Sequence, residues 1–191
     1  MKNIKKEEVS IANEILSNAF FDNKSVNYIL KRKHDTLLIS RLMTYSIKKA
    51  QLCGSIWLDD KNNACCILID PLQPKVKTLY SLWLDVLLIL QVVGISNIKK
   101  VMHKERVTEQ FLPKSLNYIH LWFIGVDIKM QGRGIGYNFL NEIINYYKGK
   151  KDAICLETST LVNLRFYKKL GFEIYHKEDF GFDFYFLIKH L

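Results

Sequence analysis

Residues 117–149 constrain this chain more than any other stretch, because a strand, a glycine turn and a helix follow one another there without a linker. "NYIHLWFIGVDI" (117–128) is rich in β-branched and aromatic residues and is predicted as a strand. "QGRGIG" (131–136) then gathers three of the chain's nine glycines. Behind it Ile135, Phe139, Ile143 and Tyr147 recur every fourth residue, with Leu140 and Ile144 widening the stripe, until Gly149 stops an amphipathic helix. A strand feeding glycines that open a helix aims unpaired N–H groups and the positive end of the helix dipole at one spot. A diphosphate is a natural guest there. Spacing excludes two diphosphate sites. Gly-x-Gly-x-x-Gly fails in both registers, since its third glycine would fall on Tyr137 or Phe139, and no Gly-x-x-x-x-Gly-Lys-Ser/Thr occurs.

The surrounding pattern is mixed α/β. "EEVSIANEILSNAF" and "DTLLISRLMTYSIKKA" carry helical stripes, and "GSIWLDDKNNACCILID" is a hairpin turning at Asp59–Asn63. Between Leu72 and Pro113 lies an insert-like helical region, broken near Gly94–Ser96, whose first helix is apolar nearly all round. After the glycine junction, "AICLET" (153–158) is a strand, and Thr158 or Ser159 is placed to cap a helix running to Leu170. "FEIYH" and "FGFDFYFLIKH" close the chain as a hairpin around Lys177–Asp179. By period two, Phe180, Phe182, Phe184, Phe186 and Ile188 share one face, which must cover a core. The same period puts His120, Trp122, Ile124 and Val126 on one face of their strand. Residues 1–191 are expected to form a single domain with its helical insert at about 72–113.

Composition narrows the function classes. A formal net charge of +9 favours anionic partners, yet the lysines are scattered in short clusters, and no nucleic-acid recognition motif accompanies them. The apolar run 79–95 is interrupted by Ser81, Asp85 and Gln91, short of the roughly 20 clean residues a bilayer span needs. No signal-peptide core follows the charged N-terminus. Cys53, Cys65, Cys66 and Cys155 form no Cys-x-x-Cys pair; adjacent Cys65 and Cys66 would face opposite sides of a strand. The expectation is a cytoplasmic protein with reduced thiols, no metal, no membrane and no nucleic acid.

"FIGVDIKMQGRGIG", with its Gln/Arg-x-x-Gly-x-Gly/Ala pattern, resembles the acetyl-CoA-binding motif of the GCN5-related N-acetyltransferase (GNAT) superfamily. "LETSTLVNLRFYKKLGFEIY" resembles the second signature of that family, at the right separation. The resemblance covers about residues 117–176, and Ile128 departs from it where proline is common. It implies a central, mostly antiparallel sheet splayed at the cofactor strand, flanked by helices. It implies pantetheine pairing by the backbone of Ile124, Gly125 and Val126. It implies a pyrophosphate cradle from Gly132, Gly134, Ile135 and Gly136, flanked by Gln131 and Arg133. Asn163 would hydrogen-bond the cofactor, and Tyr167 would be the general acid for the leaving thiolate.

The base is open between His120, which suits proton transfer near neutral pH, and Glu157, which would either accept the proton or attract a cationic amine. A water chain could replace both. The implied activity is acetyl transfer from acetyl-CoA to a primary amine of a small molecule or peptide by direct attack. A non-catalytic acyl-CoA-binding module would keep the glycine loop and have no need of Tyr167. The insert either walls an apolar acceptor pocket or makes a homodimer contact.

Overall fold

A computed structural model describes residues 1–73 and 79–191, so the stretch of the predicted insert at 74–78 lies outside the described residues. Seven strands form one sheet in the order β1-β2-β3-β4-β5-β7-β6. They are β1 (Lys2–Asn3), β2 (Gly54–Leu58), β3 (Ala64–Ile69), β4 (Tyr118–Val126), β5 (Ala153–Thr158), β6 (Glu173–Asp179) and β7 (Asp183–His190). Every neighbouring pair is antiparallel except β4 and β5. That parallel pair needs a crossover, and helix α6 (Ile135–Tyr147) supplies it. The architecture is the mixed α/β order read from the residue pattern, with the mostly antiparallel sheet flanked by helices that the family resemblance implied.

The two faces of the sheet are covered separately. On one, α6 and α7 (Leu161–Lys169) bury Phe139, Leu140, Ile143 and Tyr167 against Ile119, Leu121, Ile154 and Leu156. The predicted every-fourth stripe of α6 is the buried one, with Phe139 and Ile143 at the centre. On the other face, α1 (Val9–Ala19), α2 (Lys24–Ile29) and α3 (Thr36–Cys53) pack over β2 and β3, and Phe123 joins them. Cys65 sits in this second cluster and Cys66 in the first, as strand alternation requires. None of the four cysteines forms a disulfide with a described residue.

The insert forms α4 (Leu79–Leu88), a π-helical turn at Ile89–Val93 and α5 (Ile98–Phe111). The chain breaks at Gly94, whose φ of +74° a side chain would resist. Two polar anchors hold α4 to α3: Tyr45 Oη donates to Asp85 at 2.7 Å, and Lys49 Nζ pairs with Asp85 at 2.7 Å. Helix α5 lies over the aromatic face of β7, where Val107 and Phe111 meet Phe180, Phe184 and Phe186. No single helix among the described residues is long and apolar enough to cross a membrane.

Two local expectations are corrected. The final hairpin turns at Phe180–Phe182 rather than Lys177–Asp179, because Gly181 (φ +81°) supplies the left-handed residue while 177–179 still pair with β7. Helix α7 is preceded by Thr160 at its cap position. Ser159 is buried and accepts from the Ser25 amide at 3.2 Å, so it ties α2 to the sheet instead of capping α7.

Candidate active site

The site begins with a register shift. β3 and β4 pair regularly from Ala64↔Val126 to Ile67↔Phe123, then resume at Leu68↔Leu121, so Trp122 is an extra residue in β4. A bulge of this kind twists the strand and reverses the parity of side chains beyond it. The single face predicted for His120, Trp122, Ile124 and Val126 is therefore corrected. Ile124 and Val126 pack toward α6 with Ile119 and Leu121, whereas Trp122, Phe123 and Gly125 face α1 and α3. Gly125 has a steric reason to be glycine: a Cβ there would stand 2.9 Å from the Ala19 Cβ of α1.

β5 follows β4 only through Tyr118↔Ala153, Ile119↔Ile154 and His120↔Cys155. Beyond His120 the strands part, and residues 121–126 have no strand partner on that side among the described residues. Apart from the Val126 carbonyl, which accepts from Gln131, backbone donors and acceptors directed there can pair with an extended ligand, as an added strand would. This stretch contains Ile124, Gly125 and Val126.

At the end of β4 the chain makes a 3₁₀ turn, Ile128–Met130, before the glycines. Gln131 does not point away: its Nε2 donates to the Val126 carbonyl at 3.1 Å and ties the loop back to the strand. Gly132 and Gly134 adopt φ of +77° and +76°, and a Cβ on either would meet open space. Gly134 is the cap residue of α6, so the amides of Ile135 and Gly136 open the helix. At Gly136 a Cβ would come within 3.2 Å of Val126 Cγ2. Arg133 is exposed beside the turn. Backbone left bare, a helix N-terminus and a neighbouring cation together fit a diphosphate, and the adjoining unpaired strand edge fits the amides of a pantetheine chain.

Sequence reading missed a second basic feature near this cradle. Tyr137, Arg165, Phe166 and Lys169 line a surface hollow, and the Phe166 ring lies 3.9 Å from where a Gly136 Cβ would be. Arg165 and Lys169 stand one turn apart on α7; that spacing was the available signal.

The other side of the opening is a cavity of about 850 Å³ between α2, α3, α5 and the sheet. Phe20, Tyr45, Trp122, Phe123 and Phe184 give it an aromatic lining. At its sheet wall His120 Nε2 and Glu157 Oε2 are 2.8 Å apart, with side-chain exposures of 12% and 9%. The two base candidates are thus one hydrogen-bonded pair. Glu157 Oε1 is buried and has no hydrogen-bond partner among the described residues. An oxygen so placed costs free energy until a donor reaches it.

Tyr167 lies on α7 and is almost wholly buried, edge-on to Phe166 and Phe172. Burial, and secondarily the Glu157 charge, push its phenol well above the ordinary value, so it holds its proton throughout the neutral range. Asn163 is half-buried, one turn earlier on the same helix. The structure thus brings His120 and Glu157 into contact and sets Tyr167 within the electrostatic reach of Glu157. Gln131–Gly136 stand at the outer end of the opening.

Residues 86–174 match the family model described as an acetyltransferase (GNAT) domain. No curated protein matches the sequence. Among solved structures, the histone acetyltransferase HPA2 and related acetyltransferase from Corynebacterium glutamicum superposes with a TM-score of 0.71 at 17% identity, covering 98% of this chain and 93% of that one. The C-terminal condensation domain of Ebony, in complex with β-alanyl-dopamine, gives 0.68 at 11% identity over 100% and 97%. Arylalkylamine N-acetyltransferase 2 from Aedes aegypti gives 0.63 at 12% identity over 99% and 97%. At such identities these likenesses show the fold, which is that of GNAT acetyltransferases.

Proposed function

We propose that this chain, which carries a GNAT-type domain on a GNAT fold, moves an acetyl group from acetyl-CoA to an amine held in the aromatic cavity. One observation carries the reading: β4 and β5 part at His120, leaving a bare strand edge and glycine cradle outside and the His120–Glu157 pair inside. Acetyl-CoA would supply an activated thioester. Ile124, Gly125 and Val126 would hold its pantetheine by backbone pairing, and the amides of Gly132–Gly136 its diphosphate. Arg133, Arg165 and Lys169 would add positive charge for the phosphates, and Asn163 a polar contact.

The chain's own groups then manage protons. Glu157, which lines the cavity and whose Oε1 has no partner among the described residues, would receive the amine and take its proton. His120, bonded to Oε2, orients the carboxylate and can pass the proton on. Tyr167, kept neutral by burial, retains a proton to release toward the departing sulfur. Phe20, Tyr45, Trp122 and Phe184 suit an arylalkyl or otherwise apolar amine, and two of the similar folds are named for, or hold, aromatic amines or their conjugates.

The test is calorimetry with acetyl-CoA, followed by an amine screen read by thiol release. Acetyl-CoA should bind, and Tyr167→Phe should lower turnover by about 10²–10⁴-fold with cofactor affinity nearly unchanged. No coenzyme A binding would refute the reading. Binding without turnover of any amine would favour the non-catalytic acyl-CoA module.

A further inference from the structure

Lys104 occupies a position where a helix of this kind would ordinarily carry an apolar residue. On α5, Val101, Lys104, Thr108 and Phe111 recur at helical spacing on the side facing the sheet, and the first three of them line the cavity. The other cations on the cavity wall, Arg106 and Lys114, are exposed, whereas Lys104 is not. Its Nζ lies 5.2 Å over the Phe184 ring and makes no ion pair or hydrogen bond with any described residue. Burial lowers its pKa, while the nearby charges of Glu157 and Glu105 work the other way. A half-buried ammonium over an aromatic face, with no ion pair or hydrogen bond to a described residue, loses hydration without a direct partner to replace it.

The same cavity carries the complementary defect. Glu157 is nine-tenths buried, and its Oε1 has no partner. The two groups feel each other's charge without forming an ion pair. One carboxylate oxygen therefore lacks a donor and one ammonium lacks an acceptor, and both residues line the same cavity.

We infer that the acceptor is zwitterionic: an aromatic or apolar amine that also carries a carboxylate, its amine held by Glu157 and its carboxylate by Lys104. This rests on the reading of the cavity as the acceptor site and names the substrate class it takes. Lys104 is then a specificity-determining residue supplied by the helical insert.

The experiment compares phenethylamine with two carboxylated relatives, phenylalanine and para-carboxyphenethylamine. Binding is measured by calorimetry on the full chain, with and without saturating coenzyme A, so that it does not depend on turnover. At least one carboxylated probe should bind about tenfold tighter than phenethylamine, the scale of one charge-assisted hydrogen bond. Lys104→Met should collapse that ratio toward one, and Lys104→Arg should retain most of it. A lysine that merely stabilised the fold would leave the ratio unmoved. Phenethylamine binding as tightly as both acids, or a preference that survives Lys104→Met, would overturn the inference. Turnover of phenethylamine without any preference sinks this inference alone. A carboxylate preference in a protein that binds no coenzyme A leaves it standing and sinks acetyl transfer.

Discussion

Replacing Gly134 by alanine tests the cradle directly, with Gly136→Ala as its control. Gly134 caps α6 at φ +76° and ψ −2°. Nothing lies within 4 Å of a Cβ built there, so any penalty is conformational rather than steric. An L-residue in this region costs about 1–2 kcal/mol. If the loop keeps its shape, that cost appears as lost stability, about 2–8 °C in melting temperature for a domain of this size. If the loop relaxes to relieve the strain, stability returns but the amides no longer converge. The same free energy then appears as about 5–30-fold weaker acetyl-CoA binding.

Gly136 lies within the helix, where alanine gains roughly 1 kcal/mol of propensity. That gain is offset by the 3.2 Å approach to Val126 Cγ2, so both readouts should stay near wild type. Differential scanning calorimetry and isothermal titration with acetyl-CoA measure the two terms. A Gly134→Ala protein within about 1 °C and twofold of wild type would refute the reasoning, and so would a Gly136→Ala protein that loses more than it.

Gly125→Ala should cost about 1–3 kcal/mol in urea unfolding, because the new methyl meets Ala19 Cβ at 2.9 Å and Leu16 Cδ2 at 3.3 Å. Ala19→Gly in the same chain should recover most of that loss, and a purely additive double mutant would contradict the contact. Alkaline stability follows from the buried acids. Burial raises Cys155 and Tyr118 to about 12 each, from ordinary values of 9.0 and 10.0, and raises Cys65 and Tyr167 as well. Above those ordinary values the native state binds more protons than the unfolded chain, so stability must fall as pH rises from about 9 toward 12, by up to about 1.4 kcal/mol per group per pH unit. Urea midpoints across that range should decline, and a flat profile would contradict the burial.

Local periodicity carried the reading of α6, the hairpin at Asp59–Asn63 and the glycine turn, because each declares itself within a dozen residues. The site did not declare itself so fully. His120 and Glu157 lie 37 residues apart and meet only because His120 pairs with Cys155 in the β4–β5 register, which no local pattern encodes. Both were legible as separate base candidates and not as a pair. Lys104 sits in "IKKVMHKERVTEQF", among charges that resemble any solvated helix. Its withdrawal comes from how α5 lies across β7, a tertiary fact. Gly181 was overlooked as the turn because the phenylalanines on either side of it continue the strand alternation.

The bulge at Trp122 explains why strand period alone misplaced half of β4, and it ties the two halves of the site together. Were the same residues to run as an unbulged strand, alternation would carry the side chains of Ile124 and Val126 to the α1 face and turn Gly125 toward α6. The α1 face has no room for them: even a methyl at Gly125 comes within 2.9 Å of Ala19. The glycine and the bulge thus require each other. Upstream of the bulge β4 gives the cavity His120, and Trp122 lines it at the bulge itself. Downstream, Ile124 and Val126 lie under the helix whose N-terminus forms the cradle. With the bulge between them, one strand lines the cavity through His120 and Trp122 and carries the unpaired edge through Ile124 and Val126, and β5 leaves it at His120.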